Sequence, residues 1–240
     1  MPFPTNSPPM PAEPRRPVVS YARTILIGDV HGCLPELERL LREIDVDPTA
    51  DRVILVGDLT AKGPDSPGVV ALAREQGFSA VLGNHDAKVL SLRRAGALDA
   101  TRGAEPGTHA HVAARLGGGD WRYLEELPLY LSLPELATLV VHAGFVPGVP
   151  LPEQPRHLLL NMRSITPKGE PSKRVHDGVP WGSRWPGPAH VVFGHDAVRG
   201  LQKHPYATGL DTGCVYGNAL TGLILPERRL VSVPARRAYA

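Results

Sequence analysis

From Thr24 onward, short runs of consecutive apolar residues alternate with stretches whose apolar positions recur every three or four residues. A continuous apolar run bounded by turn residues reads as a strand buried on both faces. The i, i+3, i+4 spacing reads as a helix with one buried side. On that basis residues 24–27, 53–56 and 80–82 are strands. Residues 34–44, 69–76 and 87–96 are the helices that follow each of them. Pro35 suits the first turn of the first helix, and Gly77 stops the second. Residues 110–116 and 121–127 read as helices around a loose Gly117-Gly118-Gly119. Residues 139–141 and 191–193 read as two more buried strands, and 208–210, 219–225 and 230–233 as strands joined by tight turns. Apolar strands alternating with helices predict an α/β domain whose sheet is covered on both faces.

Two stretches break the pattern. Seven of the first seventeen residues are proline, so residues 1–17 cannot build a core and are expected to be disordered or polyproline-like. They contain no apolar h-region, so they are no signal peptide. The domain is placed at 18–240, starting near Val18. Residues 146–189 are rich in proline and glycine and read mostly as loop; a loop this long inside a domain is usually functional.

Composition narrows the classes. Apolar residues at 42% can build a sizeable core, and 21% charged residues is near the globular norm. A net charge of +2 is too mild to argue for a stable DNA partner or an anionic membrane. No apolar stretch approaches the ~18 residues that span a bilayer. Cys33 and Cys214 are the only two cysteines, which excludes a disulfide-stapled scaffold and a four-cysteine zinc site. Two thiols suit the reducing cytosol, so a cytoplasmic location is expected. No GxGxxG or GxxxxGK[ST] motif is present.

The chemistry lies at the ends of the strands. Five apolar runs end, within one or two residues, in a side chain able to bind a metal: Asp29 with His31, Asp58, Asn84 with His85, His142, and His195. Four of these have glycine immediately before the polar residue, which lets the backbone turn sharply and approach a ligand closely. Each piece alone has an ordinary explanation. Gly-Asp after a strand is a common turn, a strand-end histidine is more often a satisfied core residue, and Asp86 serves as a cap for the next helix. The coincidence of all five does not. In a sheet flanked by helices, strand C-terminal ends are where ligands bind, so neighbouring strands would bring these ends to one crevice. The other histidines (109, 111, 157, 176, 190, 204) lack this context and read as structural or surface residues.

Mixed oxygen and nitrogen donors suit Mn²⁺, Fe or Zn²⁺ better than Ca²⁺ or Mg²⁺. Six ligands are too many for one tetrahedral zinc. They fit two divalent cations sharing a bridging carboxylate, a centre built for in-line phosphoryl displacement.

In this order, Gly28-Asp29-Val30-His31-Gly32, Gly57-Asp58, Gly83-Asn84-His85-Asp86, Val141-His142-Ala143-Gly144 and Gly194-His195 resemble the motif set of the calcineurin-like metallophosphoesterases. More narrowly, the chain resembles the phosphoprotein phosphatase branch, whose bacterial members include symmetrical diadenosine tetraphosphate hydrolases. Leu210-Asp211-Thr212-Gly213-Cys214, with Leu220-Thr221 after it, resembles their C-terminal strands. The resemblance implies a calcineurin-like α/β fold, a central β-sandwich of mixed sheets flanked by α-helices. It implies that Asp29 and His31 bind one metal, that Asp58 bridges, and that Asn84, His142 and His195 bind the second. Mn²⁺ is the first choice, with Fe, Zn, Co or Ni as alternatives. His85 would be the general acid. Lys62 stands where the family has a phosphate-gripping arginine, and Arg163, in Leu159-Leu160-Asn161-Met162-Arg163, resembles the second one.

Three departures bear on the chemistry. Where protein phosphatases read Gly-Asp-x-Val-Asp-Arg-Gly, this chain reads Gly57-Asp58-Leu59-Thr60-Ala61-Lys62-Gly63. Ala61 cannot orient His85, so another group must. Lys62 is a point charge without arginine's bidentate fork. Asp86 follows His85 where protein phosphatases usually have glutamate. The alanine and this aspartate both resemble the diadenosine tetraphosphatase branch, although this core is shorter than theirs. The expected activity is symmetrical hydrolysis of diadenosine tetraphosphate (Ap4A) to two ADP, with nucleotide-capped RNA as a related substrate. The enzyme alternative is a Ser/Thr/Tyr phosphoprotein phosphatase. A non-catalytic binding module would have no need of the whole residue set.

Overall fold

Successive side chains of a strand point to opposite faces, and in the central strands of this protein both directions lead into apolar packing. The structure is a computed structural model that describes residues 21–96 and 103–240; the segment read at 1–17 and the domain start near Val18 lie outside the described residues. One sheet contains β1 (Arg23–Ile27), β2 (Asp51–Leu55), β3 (Ser79–Ala80), β12 (Ala219–Leu225) and β13 (Arg229–Pro234), in the order β13-β12-β1-β2-β3. The other contains β4 (Tyr130–Leu133), β5 (Thr138–Val141), β9 (His190–Phe193), β10 (Gln202–His204) and β11 (Ala207–Gly209), in the order β10-β11-β9-β5-β4. β1, β2 and β3 run parallel, as do β5, β9 and β11, with antiparallel partners outside them.

Strand alternation builds three layers of core. Leu26, Ile54, Val140, Val192 and Leu223 meet between the two sheets. Ile25, Ile27, Val53 and Leu55 face the opposite way, onto helices α1 (Leu34–Ile44), α2 (Ser66–Glu75), α3 (Asn84–Arg94), α4 (His109–Arg115) and α5 (Gly118–Glu125). On the far side Leu139, Val141, Val191 and Phe193 pack under Phe145, Trp181 and α6 (Arg156–Leu159). This is the expected sandwich of mixed sheets with helices outside.

Several boundaries differ from the sequence reading, each for a local reason. α2 begins at Ser66 because Asp65 caps it, accepting from the Gly68 amide at 3.0 Å. α3 begins at Asn84, so Asn84 and His85 sit on a helix's first turn and not in a free turn. Asp86 does accept the Gly83 amide as a cap, and it also accepts from the amide and hydroxyl of Thr60. α5 starts within the glycine stretch thought loose. Strands β4 and β10 were not expected; each is a short antiparallel partner. Residues 146–189 are mostly loop, as expected, but they also hold α6 and a small three-stranded sheet of β6 (Ser164–Ile165), β7 (Pro171–Ser172) and β8 (Val179–Pro180). The five polar ends belong to strands of two sheets, not to neighbours in one.

Leu26 is fully buried between the sheets, three residues before Asp29. Leu26→Ala is expected to destabilise the fold by about 2–5 kcal/mol, read as a shift in the urea midpoint at unchanged slope.

Candidate metal centre

The loops leaving β1, β2, β3, β5 and β9 are stitched together by backbone bonds. His31 N donates to Asp58 O at 2.8 Å and Gly32 N to Leu59 O at 2.9 Å. Gly194 N donates to His142 O at 2.8 Å. His195 N reaches both carboxylate oxygens of Asp29 at 3.1 Å, which ties one sheet to the other. His31, Asp58 and His195 all have left-handed backbones, with φ of 46°, 47° and 68°. Such conformations cost of order 1–3 kcal/mol each for residues with a side chain and persist only where the surroundings enforce them. Gly194 is required by close approach, because a Cβ there would run into Asp29 Oδ1.

Backbone carbonyls set the histidine tautomers. His31 Nδ1 lies 3.0 Å from Thr60 O, and His142 Nδ1 lies 3.0 Å from Val56 O. A carbonyl only accepts, so both Nδ1 atoms carry the proton and both Nε2 atoms present lone pairs to the site. His195 Nε2 is buried with no hydrogen-bond partner. Burial, before any other cause, holds His31 and His195 well below the usual histidine range and brings His142 to about 4. These imidazoles are neutral donors.

Asp58 sits among them. Its Oδ2 is 3.5 Å from His31 Nε2 and 3.5 Å from His142 Nε2, while Oδ1 accepts the His85 amide at 2.9 Å. Two groups of ligand atoms, each within 4.8 Å of one another, share it: His31, Asp58 and His85, and Asp58, His142 and His195. Burial raises Asp58 to about 7, and burial together with Asp211 and Asp58 raises Asp29 well above the carboxylate range. Asp211 is a third buried carboxylate, also raised by burial, that the sequence reading left without a role. Its signal was the same strand-end position, two residues beyond β11, but with Leu210 and not glycine immediately before it.

The cleft in front has a volume of about 390 Å³ and is lined by Asp29, His31, Asp58, Lys62, Asn84, His85, Arg163, His195 and Asp211, among others. Every residue singled out from the sequence is there except His142, which lies fully buried behind Asp58. Lys62 follows Ala61, and both are left-handed, with φ of 67° and 70°. Lys62 N donates to Gly107 O at 2.6 Å, and its Nζ is 2.9 Å from His31 Nε2. The Arg163 guanidinium is anchored on backbone, donating to His195 O at 3.1 Å and Lys173 O at 3.2 Å. Tyr216 and Asn218 complete the rim. His85 is half-buried, and burial with the Lys62 charge pushes it down to about 3. Its Nδ1 lies 2.9 Å from Nε2 of His109, one of the histidines read as structural or surface. No sequence signal pointed to His109, because 24 residues separate it from His85.

The donor set fits divalent cations. His142 Nε2 and Asn84 Oδ1 are both acceptors and face each other at 2.9 Å, an arrangement that a positive charge against both stabilises. The orphaned His195 Nε2 and three buried carboxylates ask for the same charge. Perturbed groups packed into one cleft are the usual mark of a functional site.

Comparison with known proteins agrees with this chemistry. A protein 28% identical over 246 residues, covering 89% of this chain and 93% of its own, is the asymmetrical bis(5'-nucleosyl)-tetraphosphatase of Oceanobacillus iheyensis. Another, 30% identical over 275 residues, covering 90% of this chain and 97% of its own, is the symmetrical bis(5'-nucleosyl)-tetraphosphatase of Edwardsiella ictaluri. A crystal structure assigned provisionally as a diadenosine tetraphosphatase is 40% identical, with a TM-score of 0.80 over 89% of this chain and 93% of that one. A serine/threonine phosphatase from Saccharomyces cerevisiae shares the fold, at 15% identity and a TM-score of 0.57 over 89% of this chain and 79% of its own. The family profile for calcineurin-like phosphoesterases matches residues 22–217. The chain belongs to the calcineurin-like phosphoesterase family.

Proposed function

We propose that the protein hydrolyses dinucleoside tetraphosphates symmetrically, converting Ap4A into two ADP. The phosphoester chemistry is carried by the pair of ligand groups sharing Asp58 at the floor of a cleft that Lys62 and Arg163 line. The symmetrical cut is supported by the relative named for it, 30% identical over 97% of its own length. Nucleotide-capped RNA presents a similar polyphosphate bridge and belongs to the same substrate class. We assign Asp29 and His31 to one cation, Asn84, His142 and His195 to the other, and Asp58 to both. When bound, divalent cations, Mn²⁺ foremost, neutralise phosphate charge and acidify a water molecule. Lys62 and Arg163 then grip the phosphate oxygens.

His85 protonates the leaving oxygen. At about 3, its pKa leaves it neutral in the free site. A polyphosphate beside it adds negative charge and opposes the shift that burial and Lys62 produce. We place the enzyme in the cytoplasm, on its two buried free cysteines. Among the described residues no helix is long and apolar enough to cross a membrane.

One observation favours a second reading, asymmetrical cleavage to ATP and AMP. The alignment with the asymmetrical relative runs 246 residues against this chain's 240, whereas that with the symmetrical relative runs 275. The test is a panel of Ap4A, ATP, a phosphopeptide and p-nitrophenyl phosphate with Mn²⁺, products separated by chromatography. Highest kcat/KM on Ap4A with ADP as sole nucleotide product is expected. ATP plus AMP would move the cut by one phosphate, and a preference for the phosphopeptide would overturn the substrate class.

Metal content checks the shared ligand. Elemental analysis of active protein should find about two divalent cations per chain. Asp58→Asn should lower that number and remove most of the activity.

The raised carboxylates make cation binding pH-dependent. Asp58 is held up to about 7, above its ordinary value of 3.8, so the cation-free protein carries a proton there below pH 7 and loses it above. Cation binding must displace that proton, whereas the already neutral histidines release none. Calorimetry of Mn²⁺ binding in buffers of different ionisation enthalpy should show more proton release at pH 6 than at pH 8.5. Cation affinity should fall as the pH drops through 7.

A further inference from the structure

Ala61 is a buried methyl group whose amide is spent on Ser66 Oγ, so it offers His85 nothing polar. The His85 ring is nonetheless held on two sides. The His31 ring meets it edge-on, with centroids 4.9 Å apart at 87°. The His109 ring lies nearly parallel to it at 17°, with centroids 4.9 Å apart and the two facing nitrogens 2.9 Å apart. Among the described residues only this second contact is a hydrogen bond to the His85 side chain, so it is the contact that can fix which His85 nitrogen faces the cleft.

We propose that His109 is a positioning residue: it holds His85 with Nε2 toward the leaving oxygen. This rests on the reading of His85 as the proton donor. Between two imidazole nitrogens at this distance, one must carry hydrogen and the other a lone pair. His85 Nδ1–H donates and His109 Nε2 accepts, which makes His109 neutral with its own proton on Nδ1. With the anionic substrate bound, His85 takes a second proton from solvent on Nε2, its Nδ1–H unchanged. In the reaction that Nε2–H bond breaks and an O–H bond forms on the leaving group. His85 is left neutral, its Nδ1–H bond to His109 intact. Burial and the Lys88 charge hold His109 below the ordinary histidine range, which keeps it an acceptor.

The backbone that carries His109 is fixed independently of its ring. Thr108 caps α4 by accepting the His111 amide at 3.1 Å, and its hydroxyl donates to Glu105 O at 2.7 Å. Gly107 O receives the Lys62 amide, so the turn that presents the phosphate-binding cation also presents the residue behind the acid. Val112 and Ala113 pack α4 into the same core as Val89 and Leu90 of α3. Replacing the His109 ring therefore removes the contact to His85 and leaves its framework standing.

The experiment measures kcat and KM for His109→Phe, His109→Gln and His85→Ala on alkyl and aryl phosphate esters of graded leaving-group pKa, with metal content and thermal unfolding for each. His109→Phe should lose about 10- to 100-fold in kcat on alkyl esters, the scale of a lost supporting contact, and little on p-nitrophenyl phosphate. KM and metal content should stay the same. His109→Gln, whose Oε1 accepts from Nδ1–H, should recover most of the loss. Equal losses on every leaving group, or Gln behaving like Phe, would overturn the positioning role. If His85→Ala steepens the leaving-group dependence and His109→Phe does not, His85 stands as the acid and His109 falls. If His85→Ala itself shows no such dependence, both roles fall together.

Discussion

Asp58 is a carboxylate 2% exposed, with one oxygen 3.5 Å from imidazoles that arrive from opposite sheets. Burying that charge is expensive unless positive charge is held against it. Asp29 and Asp211 deepen the problem: burial raises both, and the charge of Asp211 raises Asp29 further. The whole rim of the sandwich is arranged around this cluster. Neutral histidines turn their lone pairs inward because carbonyls hold their other nitrogens, and Lys62 and Arg163 close the cleft from outside. The site is unfavourable to the protein alone and favourable to cations and phosphate.

Holding such a cluster takes a rigid frame. Five residues at the site, His31, Asp58, Ala61, Lys62 and His195, have left-handed backbones. Each is locked by a bond from another loop or from the packing beneath it: Asp58 O to His31 N, Gly107 O to Lys62 N, Asp29 to His195 N. The three-layer core below supplies the stiffness, because strands packed on both faces cannot shift without opening a cavity. Local strain at the rim is offset by burial in the layers.

The irregular segments finish what the strands begin. Residues 146–189 carry Arg163 on a small sheet beside His195, and Arg199 ties that sheet back through Ser164 Oγ at 2.8 Å and Asp196 at 2.6 Å. The turn before α4 reaches Lys62 through Gly107 O, and His109 at the start of α4 reaches His85. Relatives named for symmetrical and asymmetrical cleavage match this chain at similar identity, 30% and 28%. The shared centre therefore does not set the position of the cut, and the segments around it are where such a difference can reside.

By itself the sequence determined the buried strands that carry the site, their polar ends and the family. The reason is local: unbroken apolar runs encode burial on two faces, and a Gly-Asp or Gly-His at the end encodes a sharp turn with a ligand on it. Expectations for Asp29, His31, Asp58, Asn84, His85, His142, His195, Lys62 and Arg163 came from those turns and from the family likeness, and the structure brings all nine to one place. Tertiary structure decided what no local pattern carries. It divided the five strands between two sheets, since a fully apolar run does not say which partner will cover it. It set Asn84 and His85 on a helix, because Gly83 gives no side-chain capping signal. It brought in Asp211 and His109 from distant segments, Asp211 to share a pocket with Asp29 and His109 to meet His85 across 24 residues. Such pairings depend on how the chain crosses itself, and only the folded molecule contains that information.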